Sequence, residues 1–396
     1  MRQGSVSPKY RPFVYIETSI IMGPKLEIAL TTHSTSELQP IVQEFFASQL
    51  VESQQLFGGY SGSNYRIVLH DGRQFCLKIA NGCSPQQSEL MCRTAYTLEQ
   101  AGFRECCLPL TKPSKDDEKD SLRFVSLQDR DGEPAFVLTF VRGTQADKVM
   151  RGNPALAPRV MYSIGGGLAR MHAAVSIAGR TDAKQVRKIR WFETDGGCCD
   201  VQEHIDNVML KRIEASPRKD EFLPFYLPEL ACLKGEMSLK SHFPMGITHG
   251  DPFGDNILVD PATGDLIAFI DIEDICAGPL LFDLACCAIG CCFDDESPAG
   301  ETVHLNISLL ESLFRGYSNS RQLSALERDH FVPFMKLALL CNCSWRFIKF
   351  NGPSGTDKEF PQQAKDSYLE LQKRIEYLQN PAVVEKINTV ITKEHS

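Results

Sequence analysis

Long apolar runs are missing from this 396-residue chain. Nowhere do about 18 apolar residues follow one another, the length a bilayer-spanning helix needs, which argues against a membrane span. Positive charge is also in short supply. Lys plus Arg number 42 against 50 Asp plus Glu, a net charge of −8 with a pI near 5.7. A protein that binds nucleic acid by neutralising phosphates needs the opposite balance, whereas a small anionic ligand needs only a few local cations. Several signatures are absent as well. There is no Cys-x-x-Cys, no His-x-x-x-His and no zinc-hydrolase motif, and no Gly-x4-Gly-Lys-Ser/Thr phosphate loop. Neither Asp-Phe-Gly nor Ala-Pro-Glu occurs, which argues against a conventional protein kinase. With 43% apolar and 23% charged residues, the chain has the balance of a globular protein with a sizeable core. Catalysis on a small molecule fits these exclusions best.

The 15 cysteines do not form a disulfide or metal pattern. Four adjacent pairs occur (Cys106-Cys107, Cys198-Cys199, Cys286-Cys287 and Cys291-Cys292), and neighbours rarely bridge or share a metal. They read as reduced, buried thiols serving as small apolar residues, and a cytoplasmic setting follows. Residues 1–16 carry Arg2, Lys9 and Arg11 ahead of the first acid, Glu17, without amphipathic spacing, and read as a flexible leader.

Four segments are set apart along the chain: an N-terminal extension over 1–36, a strand-rich part over 37–141, a helical part over 142–380 and a tail over 381–396. Leu38, Ile41, Val42, Phe45 and Phe46 recur at helical spacing behind a Ser36 cap. Two β-like runs, Tyr65–Leu69 and Phe75–Ile79, flank Asp71-Gly72, a strong hairpin signal. A helix over Ser88–Gly102 and strands around Leu122–Leu127 and Phe136–Val141 complete the first part. The second is expected to hold helices over 158–175, 201–214, 228–242, 280–292, 302–318, 324–350 and 361–378. A compact strand–turn–strand insert follows His249. A small sheet lobe followed by a large helical lobe is the outline of a kinase.

The segment His249-Gly250-Asp251-Pro252-Phe253-Gly254-Asp255-Asn256, followed by Ile270-Asp271, carries the chemistry. Phosphoryl transfer requires a carboxylate that orients the attacking hydroxyl and oxygen ligands that hold Mg²⁺ against the nucleotide phosphates. An Asp and an Asn in one loop, then an Asp after a short hairpin, supply those groups together. Alone, His-Gly-Asp would be an acidic surface turn. With Asn256 and Asp271 in place, that plainer reading loses its force.

These motifs resemble the aminoglycoside phosphotransferase and choline kinase superfamily of small-molecule kinases, over roughly residues 37–378. The resemblance implies an α+β, protein-kinase-like bilobal fold, with a small antiparallel-sheet N-lobe carrying one helix and a large helical C-lobe. It implies Asp251 as catalytic base, Asn256 and Asp271 as Mg²⁺ ligands, and ATP as phosphoryl donor. Gly165 to His172 is similar to the family's Gly-x-x-Leu-Ala-x-x-His helix, and Asp283-Leu284-Ala285 to its structural Asp-Leu-Ala. The triple glycine 165–167 lacks the preceding strand of a dinucleotide loop. Lys78, on the second hairpin strand, matches the phosphate-contacting lysine, with Glu89 as its expected partner and Glu99 as the fallback. The loop Gly58–Asn64 resembles the looser phosphate loop of small-molecule kinases, with Gly59, Ser61, Gly62 and Ser63 at the phosphates. Phe140 and Val141 fall in the inter-lobe linker, whose backbone would meet adenine.

Asp251–Leu258, Gly278–Ala285 and the late helix 338–350 with Trp345-Arg346 resemble homoserine kinases of the protein-kinase-like type. One departure stands out: those enzymes tend to carry a basic residue where this chain has Gly254. Arg346 is the candidate to replace that cation, with Asp255 and Glu273 as further substrate-side candidates. Hydroxylysine kinase is the nearest alternative, then choline, ethanolamine or aminoglycoside kinases, and last a catalytically silent kinase-fold binding protein. The expected partner is a small-molecule alcohol, with no nucleic acid and no membrane; the sequence leaves the oligomeric state open.

Overall fold

The computed structural model describes residues 33–56, 62–80, 85–110, 124–127, 133–174, 209–236, 242–294, 303–352 and 360–393. Its first part is a five-stranded antiparallel sheet in the order β1-β2-β3-β5-β4. The strands are β1 Leu50–Leu56, β2 Gly62–Leu69, β3 Gln74–Ala80, β4 Val125–Leu127 and β5 Glu133–Thr139. The hairpin turns at Gly72, whose φ of +80° suits glycine. Helix α1, Thr35–Phe45, covers one face, where Leu38, Ile41, Val42 and Phe45 pack against Tyr65, Ile67, Leu77, Ile79 and Val137. Its cap is Ser34 rather than Ser36: Ser34 and Glu37 form a reciprocal capping box, worth roughly 1 kcal/mol. The strand period of two sends Leu77 and Ile79 to this core, and so turns Cys76, Lys78 and Ala80 to the opposite face. That opposite face, with Phe136 and Leu138, joins the large core of the second part. Lys78 therefore points into the cleft because of its register. Helix α2, Pro85–Gln100, ends before Gly102, which has a φ of +86°.

The second part is helical around two small strand groups. Strands β6 Thr144–Gln145, β8 Ile257–Val259 and β9 Leu266–Phe269 form one sheet, and β7 Met245–Thr248 pairs with β10 Cys276–Pro279. The helices are α3 Ala146–Gly152, α4 Ala157–Ala174, α5 Leu210–Glu214, α6 Lys219–Glu236, α7 Leu280–Cys291, α8 Ile307–Ser318, α9 Ala325–Asp329, α10 Phe331–Asn351, α11 Gln362–Lys365, α12 Tyr368–Tyr377 and α13 Pro381–Lys393. Helices α4 and α8 cross at backbone contact. A Cβ on Gly165 would lie 2.1 Å from Leu313 O, and one on Gly316 only 1.9 Å from Tyr162 O. The triple glycine thus serves close helix packing; Gly167 likewise makes room for Leu266 and Phe269.

Several expectations need correction. The expected helix 324–350 breaks at His330: Pro333 has no N–H to donate to Asp329 O and its ring would clash with that carbonyl in a continuous helix, so it sits in the first turn of a separate α10. Residues 381–393, set apart as a tail, form α13, which buries Val383, Ile387, Val390 and Ile391 and packs on α8. Helix α10 is long and apolar enough, by length and composition, to cross a membrane, contrary to the expectation that no segment is. Here 61% of its apolar window is buried inside the protein, where Phe347 stacks on Phe222 at 4.3 Å.

Candidate active site

Strand β7 delivers Thr248 and His249 to the head of a tight loop. Gly250 follows with a φ of +86°, and a Cβ there would meet Asp274 O at 2.1 Å, so only glycine fits. The Phe253 and Asn256 amides donate to Asp251 O and Phe253 O, each at 2.9 Å, closing a short 3-10 turn over Gly254–Asn256. That turn folds the Asn256 side chain back onto Asp251: its Nδ2 donates to Asp251 Oδ2 at 2.9 Å and to Asp251 O at 3.0 Å. Asn256 O in turn accepts the Ile270 amide at 2.9 Å, which fixes the residue before Asp271.

Asp271 adopts φ 60° and ψ 59°, the one left-handed non-glycine residue among the described residues. Such backbone strain, of order 1–3 kcal/mol, gathers at functional sites. It turns the carboxylate into the cleft, where Lys78 Nζ meets Asp271 Oδ1 at 2.6 Å. The lysine side chain is 7% exposed and the aspartate 28%, so the pair is only partly screened by water.

His249 links the two loops. Ile270 O can only accept, so His249 Nε2 donates to it at 2.9 Å, leaving Nδ1 to accept the Asp251 amide at 3.3 Å. Burial holds the imidazole below its usual range, against the pull of Asp283. Behind the loop, Asp283 is fully buried and accepts the His249 amide at 2.6 Å and the Gly250 amide at 2.8 Å.

Burial pushes the Asp251 carboxyl well above the usual carboxylate range, and the charges of Asp271 and Asp255 push it further; the Asn256 hydrogen bond opposes them. Crowded, hard oxygen donors of this kind suit Mg²⁺, whose binding relieves such repulsion. Among the described residues no cluster of three or more His, Cys, Asp or Glu is arranged to hold a metal by itself. Mg²⁺ is commonly held by one or two protein oxygens and completed by phosphates and water. Asn256 and Asp271 fit that ligand set.

The structure thus brings Lys78, Asp251, Asn256 and Asp271 together where the two parts meet. Asp255 lies beside them, with its carbonyl accepting from Gln145 Nε2 at 2.8 Å. Glu89 is half-buried on α2; the described ion pair of Lys78 is with Asp271. Gly62 and Ser63 open β2, and Ser63 is buried opposite Ile79. Gly59 and Ser61 lie outside the described residues, and Glu273 is placed by its backbone alone, in the 3-10 turn Ile272–Asp274. Phe140 and Val141 form the link between β5 and β6. Arg346 stands apart: it donates to Ser367 O at 3.3 Å and lies 3.9 Å from Glu370, among the C-terminal helices.

The departure at Gly254 has a steric cause. A Cβ there would lie 2.9 Å from Asp147 Cβ and 3.1 Å from Asp147 N on α3. Asp147 in turn pairs with Arg151. Sequence reasoning missed this contact and that of Gln145, because side chains meeting across a hundred residues leave no spacing signal.

The sequence profile described as the phosphotransferase enzyme family matches residues 52–324. Homoserine kinase of Paramagnetospirillum magneticum is 24% identical over 306 residues, 76% of this chain and 81% of its own. Homoserine kinase of Neisseria meningitidis serogroup B is 23% identical over 331 residues, 83% and 94% of the two chains. Among solved structures, an amicoumacin kinase in complex with AMP-PNP, Ca²⁺ and Ami aligns with a TM-score of 0.61 at 15% identity, covering 85% of this chain and 91% of its own. A microcompartment-associated aminopropanol kinase aligns with a TM-score of 0.60 at 15% identity, covering 89% and 99%. The fold is therefore the protein-kinase-like fold of these phosphotransferases.

Proposed function

The chain belongs to the phosphotransferase enzyme family, a small-molecule kinase by that membership, and on this premise we propose that it moves the γ-phosphoryl group of ATP to the hydroxyl of a small amino alcohol, homoserine first. The observation that carries the reading is the pairing of Asp251 with Asn256 beside the Lys78–Asp271 contact. Asp251 orients the acceptor hydroxyl and takes its proton; a raised carboxyl pKa suits a base that must later give that proton up. Lys78 steadies the phosphates once nucleotide competes for it, while Asn256 and Asp271 hold Mg²⁺. Bound there, Mg²⁺ would neutralise charge on the phosphates. The start of β2, with Gly62 and Ser63 after Gly59 and Ser61, is the proposed phosphate loop, and the backbone at Phe140 and Val141 the adenine contact.

Homoserine is favoured by the names of the relatives and by the resemblance of the Asp251–Leu258 and Gly278–Ala285 segments to homoserine kinases. An amino-alcohol acceptor also agrees with the name of the aminopropanol kinase neighbour. Arg346, tied to Ser367, is a poor candidate to hold the substrate carboxylate. The described cysteines are free and mostly buried, and burial raises the Cys76 thiol to about 11; inert thiols of this kind support a reducing, cytoplasmic setting. The test is ATP- and Mg²⁺-dependent phosphorylation of homoserine, 5-hydroxylysine, choline, ethanolamine and an aminoglycoside by the purified full chain. Turnover confined to an amino-acid hydroxyl supports the proposal, and turnover confined to choline or an aminoglycoside contradicts it.

A further inference from the structure

A buried line of hydrogen bonds continues past Asp283, away from the cleft. The Asp283 carboxylate takes a third donor, His172 Nε2, at Oδ2 and 3.0 Å, and the other ring nitrogen of His172 lies 2.8 Å from Tyr317 Oη. Arg321 Nη1 donates to the same hydroxyl at 3.0 Å, and its Nη2 reaches Glu327 Oε1 at 2.6 Å. Glu327 Oε2 accepts the amide and hydroxyl of Ser324 at 2.9 and 3.0 Å, so the far end is a helix cap. His172, Asp283 and Glu327 are each about 1% exposed or less, and Tyr317 is fully buried. The glycine crossing of α4 and α8 is what brings His172 and Tyr317 within reach. Among the described residues, none of the buried side-chain atoms left without a partner belongs to this line.

The donors and acceptors order themselves. An arginine only donates, so a lone pair of Tyr317 Oη accepts from Arg321. The hydroxyl hydrogen then points to His172 Nδ1, the one other partner at that oxygen among the described residues. Nδ1 is therefore the acceptor and Nε2 carries the proton, which is what Asp283 requires. The opposite tautomer would set a nitrogen lone pair against Asp283 Oδ2 and loosen the carboxylate that holds the His249 and Gly250 amides, next to Asp251.

We propose that Tyr317, oriented by Arg321, is a positioning residue for phosphoryl transfer, acting by fixing the tautomer of His172 and through it the Asp283 anchor of the Asp251 loop. This role rests on the kinase reading above. Burial also pushes the Tyr317 hydroxyl well above the usual tyrosine range, keeping it a donor.

The test compares the full-length wild-type protein with Tyr317→Phe, which keeps the ring and removes the hydroxyl. Histidine-selective ¹⁵N spectra report the tautomer, with the His172 signal identified by its loss in His172→Gln. Steady-state kinetics on the best acceptor report kcat and KM. The expected result is a wild-type Nε2–H tautomer whose population falls measurably in Tyr317→Phe, where Nδ1 has lost its donor while Asp283 still favours the proton on Nε2. With it, kcat should fall roughly 10–100-fold, as for other groups that orient a functional histidine, with little change in KM for ATP. If Tyr317→Phe does not yield folded protein, Arg321→Lys carries the same readouts. It keeps a charge against Glu327 but lacks the fork that also reaches Tyr317. An unchanged His172 tautomer with unchanged kcat overturns the proposal, as does a kcat loss with no tautomer change. Absence of turnover in the wild type would overturn the kinase reading and the catalytic role with it. A tautomer change seen in that case would show that the hydrogen-bond line itself exists as described.

Discussion

Lys78 Nζ and Asp271 Oδ1 lie 2.6 Å apart although 193 residues separate them in the chain, and their ion pair joins the sheet to the segment that follows the Asp251 loop. One partner comes from the sheet register and the other from a left-handed residue after β9. This contact couples the two parts.

Removing the lysine leaves a carboxylate beside Asp251 with its cation gone. Lys78→Met is expected to lower stability by about 1.5–3 kcal/mol, the scale for hydrogen bonds to charged groups. Chemical denaturation without nucleotide checks the stability. The same variant should bind nucleotide more weakly by calorimetry, and unchanged affinity would remove Lys78 from the phosphate site.

Asp251→Asn is expected to lower turnover by roughly 10²–10⁴-fold, the scale for a positioned base, and at the same time to stabilise the protein by about 0.5–2 kcal/mol. The sign follows from the raised carboxyl. Its folded pKa lies above the ordinary 3.8, so the folded state binds the proton more tightly than the unfolded chain does. The wild type loses stability as pH rises through the folded pKa, and the amide does not. The difference in Tm should therefore vanish below about pH 4, near the ordinary carboxylate pKa, and grow as pH rises towards and through the raised folded value. Tm scans of both proteins from pH 4 to pH 8, without Mg²⁺ or nucleotide, measure it.

Asp271 tests backbone and ligand separately. Asparagine tolerates the left-handed conformation, so Asp271→Asn should keep the backbone geometry while losing the Lys78 ion pair and Mg²⁺-dependent activity. Asp271→Ala should lose the same activity and a further 1 kcal/mol or so, because a Cβ without a local hydrogen bond is strained there. Equal stability of the two variants by denaturation would contradict the strain.

Glycine positions offer a further check. Gly316→Ala places a methyl 1.9 Å from Tyr162 O and must push α4 from α8, at about 1–3 kcal/mol or more. Gly254→Ala meets α3 and should reduce activity more than stability, since the adjoining turn carries Asn256. Urea denaturation and initial rates separate the two effects.

Much of this was legible in the sequence because the chemistry lies in one contiguous loop and its hairpin. Spacing alone placed Asp251, Asn256 and Asp271 together, and Asp71-Gly72 marked the strand that bears Lys78. Strand β1 was missed: it is an edge strand with a largely exposed pattern, and without a buried face there is no apolar period to read. The pair β7 and β10 escaped because each is four residues long and contains glycine. The break at His330 was hidden by continuous apolar periodicity, although Pro333 marked it. Arg346 was chosen by resemblance, and helix geometry ties it elsewhere. Tyr317 and Arg321 carry no motif; a glycine-mediated helix crossing alone brings the tyrosine to His172.

The most direct measurement of the central claim is the transfer of ³²P from γ-labelled ATP to homoserine and the other acceptors, with Mg²⁺, by wild type and Asp251→Asn side by side. The account predicts a labelled phosphate ester of an amino-acid hydroxyl with the wild type, and its near-disappearance with Asp251→Asn while nucleotide still binds. Equal labelling by the two proteins would contradict it.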